Sequence, residues 1–262
     1  MNVEVLGAHC LESQTTRLTC LLVDGILALD AGGLTSGLSL TAQGNLRGIL
    51  LTHQHLDHVK DIGLIGYHNT LLIGMGTGET KNVYSTAETL DNILNDLLNG
   101  RTFPNFTHSP LGGKAPLRFC PLEPYTPQPI EGYQVIAIPV KHSVSTVGYG
   151  ITSPEGKTLF FTGDTGPHIS HCWDYVSPDL LITELTGPNK FTERLLEVGH
   201  LSPQLLRQEL IEFRQIKGYI PRTVLVHHPP ELEQQLSQEI EQVARELGAD
   251  ITLGQEGMNF AI

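Results

Sequence analysis

Basic residues are scarce. Sixteen Lys and Arg face 28 Asp and Glu, leaving a formal net charge of −12 with His neutral. A phosphate backbone is gripped by a Lys/Arg footprint, so no large nucleic-acid partner is expected. A small anion held at a local cationic centre remains compatible with this balance. Cysteine is sparse too: Cys10, Cys20, Cys120 and Cys172 are scattered with no CxxC spacing, which predicts free thiols in a reducing compartment. No apolar run approaches the length that spans a bilayer, so no membrane association is expected. The opening "MNVEVLGAHC" has neither a basic segment nor a long apolar stretch, so no secretory signal is expected and the cytoplasm is the expected compartment. Internal repeats, low-complexity tracts and linkers are absent, which predicts one domain over residues 1–262.

What is present begins with short β-like runs at Val3–Leu6, Arg17–Val23 and Ile26–Leu29, with Asp24-Gly25 as a hairpin turn. Ile49–Leu51 and Thr70–Ile73 read as further strands, and "STAETLDNILNDLLNG" as a helix with a Ser/Thr cap and a stop at Gly100. From Arg101 to Gln128 the pattern predicts a long irregular connection, with seven prolines between Pro104 and Pro129. Strand patterns return at Tyr133–Val140, Val147–Thr152, Thr158–Thr162, Asp179–Thr183 and Thr223–Val226. Two helices, "SPQLLRQELIEFRQ" and "ELEQQLSQEIEQVARELG", flank the last of these, and "DITLGQEGMNFAI" closes the chain as two short strands around a turn. This order predicts two sheets packed together with helices outside, each half of the chain contributing one sheet.

The chemistry concentrates in "GILLTHQHLDHVKDIG". His53, His55, Asp57 and His58 occupy six positions directly after the apolar run Ile49-Leu50-Leu51. Alternate strand residues share a face, so His53 and His55 can point at one centre, while Asp57 and His58 can serve a second nearby. Imidazole with carboxylate suits Zn²⁺ first, with Mn²⁺ or Fe²⁺ as alternatives. Further ligand types end other apolar runs: His142 in "IAIPVKHSVSTVGYG", Asp164 in "TLFFTGDTGP", and His227-His228 in "RTVLVHHPPE".

HxHxDH, then a single His, a Gly-Asp-Thr-Gly aspartate and a late strand-end His, resembles the metallo-β-lactamase superfamily across essentially the whole chain. The resemblance implies an α+β fold, a four-layer αββα sandwich with two divalent metal ions at the edge of the paired sheets. It assigns His53, His55 and His142 to one ion, Asp57, His58 and His228 to the other, and Asp164 as the bridge. His228 is preferred to His227 because it stands immediately before the Pro-Pro break. Asp30, in "ALDAGG", is expected to accept a hydrogen bond that fixes the metal-binding loop. His9, His68, His108, His168 and His171 read as surface or loop residues.

Within the superfamily, HQHLDH, Ser145-Thr146, "GDTGP" and "GHLSP" resemble the class II cyclic-nucleotide phosphodiesterase branch. That resemblance implies a dinuclear phosphodiesterase converting 3′,5′-cyclic AMP or GMP to nucleoside 5′-monophosphates, with a hydroxide bridging the two ions as nucleophile and Asp57 among the catalytic residues. Glu184 would hold His200 protonated to serve the departing oxygen, and Ser145 and Thr146 would hydrogen-bond the phosphate. The family also implies a homodimer. The chain departs from the branch at Gly66-Tyr67-His68, where small residues followed by Ser-Ala or Ser-Pro are expected, beside the metals. The alternatives are a phosphodiesterase of RNA ends of the tRNA 3′ type, a thioesterase or lactonase, and a metal-binding module without catalysis.

Overall fold

The computed structural model describes residues 1–109 and 113–262. The first sheet opens with β1 (Asn2–Gly7), β2 (Cys20–Val23) and β3 (Leu27–Leu29). The Asp24-Gly25 turn joins the last two, with both residues in the left-handed region (φ 46° and 73°). Two short helices follow, α1 (Leu34–Gly37) and α2 (Leu40–Asn45), then β4 (Gly48–Leu50), α3 (Leu56–Val59) and α4 (Ile62–Gly74). β5 (Lys81–Ser85), α5 (Ala87–Asp96) and β6 (Leu117–Pro121) complete this half. The second half holds β7 (Gln128–Ile130), β8 (Tyr133–Val140), β9 (Thr146–Thr152), β10 (Thr158–Phe161) and β11 (Leu180–Glu184). It continues with α6 (Thr192–Val198), α7 (Pro203–Lys217), β12 (Arg222–Val226), α8 (Glu233–Leu247), β13 (Ile251–Leu253) and β14 (Asn259–Ala261).

Each sheet has seven strands, in the orders β14-β1-β2-β3-β4-β5-β6 and β13-β12-β11-β10-β9-β8-β7. The halves therefore supply one sheet each, except that β14 crosses to pair antiparallel with β1. Alternation of side chains builds the layers. Leu50, Leu159, Phe161, Leu180, Ile182, Val224 and Val226 pack between the sheets. Their neighbours face outward: Ile49 meets Ile62, Ile65, Leu90 and Ile93 of α4 and α5, while Phe160, Leu181 and Leu225 meet Leu206, Leu210, Phe213, Leu236 and Ile240 of α7 and α8. Helix, sheet, sheet, helix is the expected αββα sandwich. All four cysteines are free thiols. Among the described residues no helix is long and apolar enough to cross a membrane.

Two expectations fail. Thr70–Ile73 is the end of α4 and not a strand; Thr70 Oγ1 donates to Gly66 O at 2.8 Å, one helical turn back. A short apolar run carries no periodicity of its own, and this one belongs to a helix begun eight residues earlier. The connection from Arg101 is not wholly irregular either, because Leu117–Pro121 pairs parallel with β5 as the edge strand of the first sheet, where a terminal proline is tolerated. Residues 110–112 of that connection lie outside the described residues.

The connection also explains the departure at Gly66. A Cβ at Gly63 would lie 2.6 Å from the Phe103 ring, and one at Gly66 would lie 2.5 Å from Phe106. The glycines give α4 a flat face on which these two aromatic rings rest. Gly66→Val is expected to destabilise the protein by about 1–3 kcal/mol through overpacking, measured by urea unfolding.

Candidate metal centre

The carboxyl ends of β3, β4, β10, β11 and β12 converge at one edge of the sandwich, where open α/β sheets present their ligand sites. The two sheets are tied there by Tyr149 Oη donating to Leu51 O (2.7 Å) and Val147 N donating to Thr52 O (3.1 Å). The chain leaves β4 through Thr52 to His53, leaves β10 through Gly163 to Asp164, and leaves β12 at His227. Gly163 has φ 62°, and a Cβ there would strike the Thr52 side chain at 2.7 Å, so the turn requires glycine.

His53 Nε2 stands 3.0 Å from His55 Nδ1, which stands 3.3 Å from His142 Nε2; Asp164 Oδ2 lies 3.8 Å from both His53 Nε2 and His142 Nε2. The outer nitrogens determine what the inner ones offer. Gly199 O can only accept, so His142 Nδ1 donates to it (3.0 Å) and leaves Nε2 as a lone pair. Thr52 Oγ1 donates to Asp30 Oδ2 (2.9 Å), so it accepts from His53 Nδ1 (2.9 Å) and again leaves Nε2 as a lone pair. Burial pushes the pKa of His53, His55 and His142 down, keeping the rings neutral. Lone pairs facing one another around a carboxylate need a cation between them.

A second group adjoins the first. His58 Nε2 lies 3.3 Å from Asp164 Oδ1 and 3.6 Å from Asp57 Oδ2, and His227 Nε2 lies 3.2 Å from Asp57 Oδ2 and 3.4 Å from Asp164 Oδ2. Among the described residues, His58 Nε2 and Asp164 Oδ1 are buried without a hydrogen-bond partner although they face each other, an arrangement an intervening ion satisfies. Burial alone would raise the carboxyls of Asp57 and Asp164. The imidazoles facing them, His227 beside Asp57 and His227 with His58 beside Asp164, hold both well below the usual range. Both groups therefore fit divalent cations, with Asp164 Oδ2 facing both groups and Oδ1 facing His58 of the second. Asp30 is fully buried and accepts from Thr52 N (2.8 Å), Thr52 Oγ1 and His58 Nδ1 (2.8 Å), locking the loop and aiming His58 Nε2 inward.

His228 is a correction. His227, not His228, faces Asp57 and Asp164; His228 turns away, its Nε2 donating to Gly254 O at 3.0 Å. His227 adopts φ 62°. The chain twists out of its extended course at His227, two residues before Pro229, so counting back from the Pro-Pro break selects the wrong ring. His9, expected as a surface or loop residue, lies in the loop after β1 and is buried at 2% exposure.

Glu184 and His200 are hydrogen-bonded to each other. His200 Nδ1 donates to Glu184 Oε1 at 2.8 Å, and Glu184, 1% exposed, also accepts from Leu201 N (3.2 Å) and Thr165 N (3.3 Å). The His200 ring stacks on His227 at 5.4 Å, and its nitrogen lies within 4.8 Å of ligand atoms of His227 and Asp164. Burial opposes its charge, but the charge and hydrogen bond of Glu184 raise its pKa to about 9. Ser145 is exposed, and no hydrogen bond among the described residues ties it to the cluster. Thr146 is buried and its hydroxyl donates to Val144 O at 3.0 Å.

Sequence reasoning missed Thr186. Its Oγ1 donates to Glu184 Oε2 (2.8 Å) and therefore accepts from His227 Nδ1 (2.9 Å), turning the lone pair of His227 Nε2 toward Asp57 and Asp164. A threonine two residues after a strand-end glutamate carries no pattern that announces this. Thr186→Val is expected to weaken metal binding at the Asp57 group about 10–100-fold, read by chelator competition on protein whose circular dichroism is unchanged.

Residues 34–228 match the family model described as the beta-lactamase superfamily domain. A probable 3′,5′-cyclic-nucleotide phosphodiesterase of Yersinia pestis is 25% identical over 239 residues. That match covers 73% of this chain and 65% of the relative, so the chain spans less than two thirds of that protein's length. Among solved structures, unliganded yeast PDE1 superposes with a TM-score of 0.84 at 16% identity, covering 100% of this chain and 99% of that one. The metallo-beta-lactamase fold protein YhfI of Bacillus subtilis gives 0.77 at 17% identity, covering 99% and 98%. The short form of human tRNase Z gives 0.68 at 20% identity, covering 100% and 99%. At these identities the structures establish the fold.

Proposed function

The chain belongs to the beta-lactamase superfamily, and from that premise we propose that it is a hydrolase converting 3′,5′-cyclic nucleotides to nucleoside 5′-monophosphates. The observation that carries this reading is the buried Glu184–His200 pair beside the His/Asp cluster, a proton donor placed next to the groups that would hold the metals. The likeness to the Yersinia pestis relative supports the same substrate class. The deficit of Lys and Arg favours a small phosphodiester over a long RNA.

His53, His55, His142 and Asp164 would hold one cation, and Asp57, His58, His227 and Asp164 the other, with Zn²⁺ the best match to imidazole and carboxylate donors. Bound there, the cations would supply positive charge for a phosphoryl group and acidify water near neutral pH. The protein's own residues do the rest. Water adds to phosphorus and releases a proton to solvent, the bond from phosphorus to the 3′ oxygen breaks, and His200 gives its Nε2 proton to that oxygen as it leaves and is reprotonated from solvent. Among the described residues His200 Nε2 has no protein partner, whereas Nδ1 is fixed by Glu184, so the ring is aimed and its second proton is free to transfer. Glu184 is held by two backbone amides and Thr186, so it does not swing away as His200 loses its charge.

Turnover of cyclic AMP, cyclic GMP, precursor tRNA and a thioester, measured on zinc-loaded protein, tests the reading. Release of 5′-monophosphate from a cyclic nucleotide is expected; cleavage confined to the RNA or the thioester overturns it.

A further inference from the structure

His9 and His228 meet on the far side of the β12 tail. His9, in the loop after β1, places Nε2 2.6 Å from Glu233 Oε1 and Nδ1 2.7 Å from Glu256 Oε1. His228, fully buried, directs Nδ1 toward the same Glu233 oxygen at 3.6 Å, and among the described residues that nitrogen has no hydrogen-bond partner. The two rings meet edge to face with centroids 4.5 Å apart. One nitrogen of each ring and one oxygen of Glu233 lie within 4.8 Å of one another.

The outer nitrogens are arranged as in a metal site. His228 Nε2 faces a backbone carbonyl, Gly254 O, which can only accept, so Nδ1 is a lone pair. His9 Nδ1 donates to Glu256, whose Oε1 is itself fixed by Arg17 N at 2.7 Å. A ligating histidine whose other N–H is held by a carboxylate or carbonyl is the usual support of a metal-bound imidazole. Two occupants could sit between His9 Nε2 and Glu233: a proton or a divalent cation. A proton on His9 satisfies His9 and both glutamates but leaves the lone pair of His228 facing a carboxylate. A cation satisfies all three groups at once.

We propose that His9, His228 and Glu233 form a separate divalent-cation site, of the Zn²⁺-binding class, distinct from the centre that holds Asp164. Two imidazoles and a carboxylate match zinc, and three protein ligands leave a position open. His9 and His228 are buried, whereas the Glu233 side chain is 36% exposed and borders a cleft of about 310 Å³ with Ser237, Ile240 and Met258. The site joins the β1 loop, the β12 tail, the start of α8 and the turn before β14, segments far apart in the chain.

Anomalous diffraction at the zinc edge on zinc-loaded crystals tests this directly. A peak between His9 Nε2 and His228 Nδ1 is expected, judged separately from any peak beside Asp164; no density above noise there, with His9 lying between the two glutamates, overturns the site. In solution, Glu233→Gln is expected to hold one zinc fewer per chain than the unaltered protein by mass spectrometry after buffer exchange. Equal zinc in the two proteins overturns it as well. Because the crystal measurement needs no substitution, a variant that fails to fold leaves the test intact, and loss of cyclic-nucleotide turnover bears on neither result.

Discussion

His200→Ala is expected to lower kcat for a cyclic nucleotide by about 10²–10⁴-fold, the usual consequence of losing a positioned proton donor, while metal content stays unchanged. The His200 ring contacts His227 without holding any of its nitrogens, so its removal does not reorient the ligands. Raising the pH should mimic the substitution. The raised pKa of about 9 means that the imidazolium is present below that value and lost above it. The donor-dependent step is therefore complete at lower pH and fails as pH rises through the folded pKa. Cations bound beside the ring disfavour its charge, so the falling limb of kcat is expected at or below about pH 9. Glu184→Gln should move that limb to lower pH, because the stabilising charge is gone. A kcat limb unmoved in Glu184→Gln, or metal lost along with His200, would remove His200 from the role of donor.

Asp57→Ala is expected to reduce bound metal from two ions to one and to lower turnover by roughly 10²–10³-fold or more, the scale of losing a preorganised charge at the reacting group. Among the described residues its carboxylate pairs with His58 and His227 and with none of His53, His55 and His142, so the group of those three should keep its ion. Asp164→Ala should differ in kind, since its oxygens face both groups, and neither ion should remain at one equivalent. Metal analysis of the two variants side by side checks the assignment; identical metal content in both would contradict the division into two groups.

The elements that carry chemistry were also the ones legible from residues alone, and for a physical reason. Strands β10, β11 and β12 lie between layers of helix and sheet, so their apolar runs are continuous, and polar residues at their ends stand out. β5 was invisible for the opposite reason. It begins at Lys81, a residue that signals solvent, yet here buried with its Nζ donating to Gly44 O (2.9 Å) and Leu46 O (2.8 Å). α6 carries no N-cap hydrogen bond from Phe191 and so lacks the sign that made α7 readable through Ser202 and Pro203. The choice between His227 and His228 was beyond any pattern, because it depends on a single backbone dihedral. Thr186 depends on three elements meeting, which no local window contains.

Among the described residues six other than glycine have positive φ, and two of them, Asp30 (57°) and His227 (62°), sit at the candidate metal centre. Such conformations cost of order 1–3 kcal/mol each for side chains bearing a Cβ. Glycine at 227 would relieve the backbone while discarding a ligand, so thermal resistance and turnover should respond to that exchange in opposite directions. Selection of the metal-free protein for heat tolerance alone would be expected to discard His227 early.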